Sequence, residues 1–108
     1  MQSQPMKEPS PLAKEAQKIK GRVDNLLSKM LKEPKFTPTR EMLEECAQEI
    51  IYFISRNHEK TLPHESHLKA AIIDLTEVPE MSPQMQRIAF QTCLKDASRE
   101  IELYISCC

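Results

Sequence analysis

The chain has 108 residues, 40% of them apolar and 29% charged, with a net charge of -1, one glycine, eight prolines and no tryptophan. That length accommodates one domain with a single modest core. Gly21 alone cannot build a phosphate-binding loop, which needs several glycines for its tight turns. A hairpin-rich β fold would also want glycine in its turns, so the composition points to helices.

Residues 1–9 are polar, punctuated by proline and without periodicity, and are expected to form a disordered tail. The segment MQSQPMKEPSP has no apolar core of the kind a signal peptide carries. Ser10-Pro11 then reads as a helix start, with serine as N-cap and proline at the first helical position. Leu12, Ala16, Ile19, Val23, Leu26 and Met30 follow at alternating spacings of four and three, within about 40° of one line. This first helix is expected to stop near Lys32, because Pro34 disfavours a helical Glu33. Phe36, set between two prolines, is expected to plug one end of the core.

Thr37-Pro38 repeats the start signal. Met42, Leu43, Cys46, Ala47, Ile50, Ile51, Phe53 and Ile54 cover about half a helical circumference, as a helix with two or more neighbours would require. It is expected to reach about Arg56, with Tyr52 opposite the apolar centre. Its run Ile50–Ile54 is the longest unbroken apolar stretch, far short of the ~20 residues of a membrane span. Asn57–Ser66 reads as a polar loop, and Leu68, Ala71, Ile72 and Leu75 as a short third helix closed by Val78-Pro79. Ser82-Pro83 opens a long last helix whose stripe is Phe90, Cys93, Leu94, Ala97, Ile101, Tyr104 and Ile105. The expected fold is all-α: a compact antiparallel bundle of four helices, the third short, in a single domain over residues 10–106.

Charge is divided unevenly along the chain. Residues 1–40 hold nine Lys/Arg and four Asp/Glu, and residues 41–108 hold six and twelve. The simplest expectation is that the basic first helix lies beside acidic neighbours of its own chain. Lys14, Lys18, Lys29 and Lys32 nevertheless share a sector of roughly 60° opposite the apolar stripe, with Gly21 and Asn25 in or beside it. Such a stripe suits an acidic partner or phosphates. Without arginine or interleaved aromatics it is a poor base-stacking surface, so a solvated face is the plainer expectation.

Chemistry-bearing constellations are sparse. His58, His64 and His67 fall within ten residues, but His64-Glu65-Ser66-His67 is one residue short of the H-E-x-x-H spacing. No metal or cofactor is therefore expected. Cys46 and Cys93 sit on apolar stripes where thiolates are disfavoured, and all four cysteines read as reduced thiols. No catalytic residue is assigned. Ser10, Thr37 and Ser82 precede prolines and double as proline-directed phosphorylation sites, although an N-cap role already explains each one.

Three surface features invite partners. Met85, Ile88 and Leu103 project about 140–160° away from Phe90. Either the Val78–Met81 connection folds back over the first two, which is the favoured expectation, or they form an exposed patch suited to adaptable protein binding. Leu27-Ser28-Lys29-Met30-Leu31 resembles the short L-x-x-L-L helix that some coregulators dock into nuclear receptors, although Leu27, Met30 and the flanking Val23 belong to the core stripe. Cys107-Cys108 resembles the paired terminal cysteines that carry geranylgeranyl groups on Rab-type GTPases, which implies a peripheral, lipid-anchored protein. The leading expectation is a non-enzymatic adaptor or regulatory subunit, intracellular in the cytoplasm or nucleus. Its partner is another protein, and homo-oligomerisation stays open. A lipid-anchored peripheral protein and a nucleic-acid-binding helical domain are the alternatives.

Overall fold

The computed structural model describes residues 10–107; the expected tail at 1–9 and Cys108 lie outside them. Helix α1 spans Pro11–Lys32, α2 spans Arg40–Arg56, and α3 is the single turn His58–Thr61. A 3-10 turn at Leu62–His64 leads into α4, Glu65–Thr76, and α5 spans Pro83–Ser106. Four of these helices are long enough to form the bundle, and α4 is the short one.

Two of the three expected starts fall where the serine–proline pairs put them. Ser10 accepts a hydrogen bond from the Ala13 N–H and Ser82 from the Met85 N–H, each followed by proline in the first turn. The start of α2 is shifted. Thr39, not Thr37, accepts the Met42 N–H, and the helix begins at Arg40. Pro38 is buried there, one place before the cap. With the buried Leu43 at the fourth helical position, the two occupy the places of a hydrophobic staple.

Asn57–Ser66 is not the loop its polarity suggests. The Asn57 side-chain amide donates to the Phe53 carbonyl at 3.0 Å, and the Thr61 hydroxyl donates to the His58 carbonyl at 3.2 Å. Thr61 is wholly buried, so its polar group is satisfied inside one local turn. Pro63 stands within the first two positions of the 3-10 turn, where its missing N–H costs nothing. Local hydrogen bonding thus makes helix from a stretch with no apolar period.

Around the bundle α1 adjoins α5, α5 adjoins α4, α4 adjoins α2 and α2 adjoins α1; the α4–α5 seam is the closest and the α1–α2 seam the loosest. Cross-seam contacts and the brief connections between successive helices make the neighbouring pairs antiparallel. Arg87 near the start of α5 donates to the Met30 carbonyl at the end of α1 at 2.8 Å, and Ser98 donates to Asp24. Arg22 meets Glu49 across α1 and α2 at 2.9 Å, and His67 meets Glu100 across α4 and α5 at 2.9 Å. Arg40 at the start of α2 donates to the Val78 carbonyl just beyond α4. The expected all-α antiparallel bundle is therefore the observed one.

Its core is drawn from every long helix: Val23, Leu43, Ile50, Phe53, Leu68 and Leu94 are among the fully buried side chains. The rings of Phe53 and Tyr104 meet edge to face across the bundle diagonal, with centroids 5.8 Å apart. Phe36 packs on the core edge under the Lys29 ammonium, which lies 4.4 Å from its ring centre. This is the plug expected of it, with a cation–π contact added.

Candidate functional site

Three surfaces emerge, each built by a different part of the bundle. The first is the start of α5. Met85 is 55% exposed and Ile88 60% exposed, so the 77–82 connection does not cover them, against the favoured expectation. The reason is local. That connection buries Val78 in the core and offers its Val78 and Pro79 carbonyls to Arg40 and Gln86, which directs it across the end of the bundle and not over the outer face of α5. Leu103 is also exposed, at 40%, but lies 18 residues further on, about 27 Å along the helix. On the same line between them stand Thr92, Asp96 and Arg99, so Met85 and Ile88 form one small patch and Leu103 another.

The second surface is the lysine stripe. Lys14, Lys18, Lys29 and Lys32 are all exposed. Lys29 is held over Phe36, and both Lys29 and Lys32 lie in the last turn of α1, where positive charge is favoured by the helix dipole. Lys14, Lys18 and Lys32 make no ion pair among the described residues. Lys20 and Arg22, in contrast, reach Glu102 and Glu49 of the acidic half of the chain, as expected. Lys20 lies 2.8 Å from Asp24 and 3.7 Å from Glu102, and its hydrogen bond to Asp24 holds its pKa above the ordinary lysine value. Gly21 adjoins the stripe, and a Cβ built on it would meet nothing within 4 Å; no contact inside the chain requires glycine there.

The third surface was not foreseen in the sequence. Arg22, Asn25, Leu26 and Lys29 on α1 face Met42, Glu45, Cys46 and Glu49 on α2 across a groove of about 420 Å³. Both sets follow the spacing i, i+3, i+4, i+7, which is one face of two helical turns. The floor is apolar, the α1 wall is basic and the α2 wall is acidic. Beyond the Arg22–Glu49 pair a smaller hollow of about 190 Å³ continues to Tyr52 and Arg56, and Arg56 is bonded to Glu15. The signal that finds this groove is a pair of matching helical spacings with opposite charge, visible only once α1 and α2 are known to be adjacent.

Cys46 lies in the groove floor, 4% exposed. Burial, reinforced by the Glu49 carboxylate, pushes its thiol up to about 11, so at neutral pH it is a small apolar group and not a nucleophile. Cys93 is half-buried and shifted upward for the same first reason, with Asp74 and Asp96 adding to it. Cys46, Cys93 and Cys107 are unbridged thiols, and Cys107 is exposed. Cys108, the other half of the lipidation pair, lies outside the described residues.

Of the three histidines, His67 is engaged by Glu100 while His58 and His64 are exposed. Among the described residues no three His, Cys, Asp or Glu side chains converge to hold a metal ion. In the segment that resembles a coregulator helix, Met30 is buried, Leu27 packs on the core edge and, of its apolar residues, only Leu31 is exposed. Ser10 and Ser82 are occupied as caps, and Thr37 is exposed and free of that role. Among the described residues no helix is long and apolar enough to cross a membrane. No family model, curated protein or solved structure matches the chain.

Proposed function

We propose that this chain is a non-enzymatic protein–protein interaction module, an adaptor or regulatory subunit that works through its helix faces. The observation that carries the reading is the exposure of Met85 and Ile88 on the first two turns of α5, beside a core that is already closed by all four long helices. Two large apolar side chains one turn apart gain about 1–2 kcal/mol each when their exposed halves are covered, and methionine adapts to partner surfaces of varied shape. The reading carries with it an intracellular location, cytoplasmic or nuclear, in keeping with the unpaired thiols.

Affinity capture from native cells tests it. The Met85→Asp/Ile88→Asp double variant should lose the proteins retained by the unaltered chain, at undiminished helicity by circular dichroism. Retention of the same proteins by the variant would remove this face from consideration.

A lipid-anchored peripheral protein is the second reading, supported by the exposure of Cys107 at the end of α5. Intact mass of the native protein decides it, because unmodified thiols exclude an anchor. Nucleic-acid binding through the lysine stripe is the weakest of the three. Lys29 faces Glu45 and Glu49 across the groove and Lys18 shares the adjoining hollow with Glu49, so a phosphate chain lying along these two lysines would run beside carboxylates.

A further inference from the structure

The open seam between α1 and α2 has a chemistry of its own, independent of the α5 face. Its floor is made by Leu26, Met42 and Cys46, and its walls by Arg22 and Lys29 on one side and Glu45 and Glu49 on the other. We propose that this groove is the docking site for an amphipathic helix of a partner protein, acidic along the flank that meets α1 and basic along the flank that meets α2.

The dimensions favour a helix. Each wall covers seven residue steps, about 10 Å or two turns, and two adjacent antiparallel helices leave between their ridges a channel that side chains of a third helix can fill. Such an occupant is read by apolar anchors at i, i+3 or i+4 and i+7. The floor suits those anchors. Met42 is a flexible thioether that reshapes around an incoming side chain, and the protonated Cys46 thiol behaves as an apolar neighbour.

Charge selects among helices. The two walls are of opposite sign over the open stretch and are joined at one end only, by the Arg22–Glu49 contact of 2.9 Å. Lys29 and Glu45 have no ion pair among the described residues. Beyond Arg22–Glu49 the polarity reverses, with Glu15 on α1 bonded to Arg56 on α2, and this pair closes the seam. The open stretch therefore takes two turns of helix. A helix acidic on both flanks is repelled by α2, and one basic on both flanks is repelled by α1. Lys14 and Lys32, behind the α1 wall, strengthen its positive field. This gives the lysine stripe a role that needs no phosphate.

The experiment uses the full chain, labelled with nitrogen-15, and three synthetic helical peptides with one shared leucine stripe. Their flanks are glutamate on one side and lysine on the other, glutamate on both, or lysine on both. The mixed peptide should bind tightest and move the amide signals of Asn25, Leu26 and Cys46. In the Glu45→Lys/Glu49→Lys variant both walls are basic, and preference should switch by about tenfold or more to the all-glutamate peptide. Met42→Glu, a change at a partly exposed position, should abolish binding of the mixed peptide and serves as the second variant if the charge reversal disturbs the fold.

Equal binding of all three peptides overturns the proposal, as does an unswitched preference in a folded charge variant, or no shift at ~1 mM peptide. Signals moving around Met85 and Ile88 in place of the groove overturn it too. Self-association that displaces the peptide would show a second copy as the occupant and has the same force. The proposal shares with the reading above only the idea of protein binding. Met85→Asp/Ile88→Asp should leave peptide affinity unchanged, so failure at either face is distinguishable from failure at the other.

Discussion

Between α4 and α5 the bundle is closed, whereas between α1 and α2 it stands open as a groove of about 420 Å³. Both pairs are antiparallel, and both contribute apolar stripes to one continuous core. They differ in what flanks those stripes. Buried alanines stand on both pairs, Ala71 and Ala97 on α4 and α5 and Ala16 and Ala47 on α1 and α2, so the close approach that small residues allow does not separate them. The open seam is flanked by Arg22, Lys29, Glu45 and Glu49, long charged side chains that cannot be drawn inward without desolvation. Amphipathic helices will make a bundle in either case; the rim residues decide whether a seam is finished by the chain itself or left for another molecule.

The largest expected effect sets one seam against the other. Leu94 on α5 is completely buried and Met42 on α2 is partly exposed. Leu94→Ala should cost about 3 kcal/mol, within the ~2–5 kcal/mol typical of leucine truncation in a core. Met42→Ala should cost less than ~1 kcal/mol, because solvent already reaches the site. Urea denaturation of the two variants measures the contrast. Equal losses would mean that the groove is closed in solution and that the comparison fails.

A smaller effect is expected where α1 meets α5. The Ser98 hydroxyl donates to the Asp24 carboxylate, which also holds Lys20. Ser98→Ala removes one hydrogen bond to a charged group, worth about 1.5–3 kcal/mol, and returns part of it through the better helix propensity of alanine. A net loss of about 1 kcal/mol is expected in the same denaturation assay. Gly21→Ala acts in the opposite direction. The position has room for a Cβ and no positive φ, so the variant should be more stable by about 0.5–1 kcal/mol. Gly21 belongs to neither seam, and its effect should add to that of Leu94→Ala or Met42→Ala. Destabilisation by Gly21→Ala would contradict the open space around this position.

The architecture was legible because it rests on short-range rules. Serine followed by proline marks a helix start through one hydrogen bond and one fixed φ, and the apolar stripes of α1, α2 and α5 repeat often enough to be unambiguous. Thr37 and Thr39 are both able to cap, and only the burial of Pro38 separates them. Thr61 carries no apolar signature at all, yet it is buried, because its hydroxyl is satisfied within its own turn. The exposure of Met85 and Ile88 was one of two readings, since the path of the 77–82 connection depends on Arg40, nearly forty residues earlier. The groove was invisible for the same reason: its walls are local patterns, but their adjacency is not.

The smallest expected effect probes a flaw in the closed seam. Asp74 on α4 is partly buried and faces Asp96 and Glu100 on α5; burial first, and then these two carboxylates, raise its pKa above the ordinary 3.8, against a smaller opposing pull from Arg99. His67 is bonded to Glu100 in the same cluster. The folded chain therefore holds the Asp74 proton more tightly than the unfolded chain does. Its contribution to stability is fully present below about 3.8 and is lost as pH rises through the higher folded value. At neutral pH the charged Asp74 weakens the seam that packing has closed, whereas the open seam carries its charges in opposite-sign walls. Asp74→Asn should thus raise the urea midpoint at about pH 7 and lose that advantage as the pH is lowered toward about 4. A gain that stays constant over the same range would trace it to packing or helix propensity, and a loss at neutral pH would show that Arg99, not the carboxylates, governs this site.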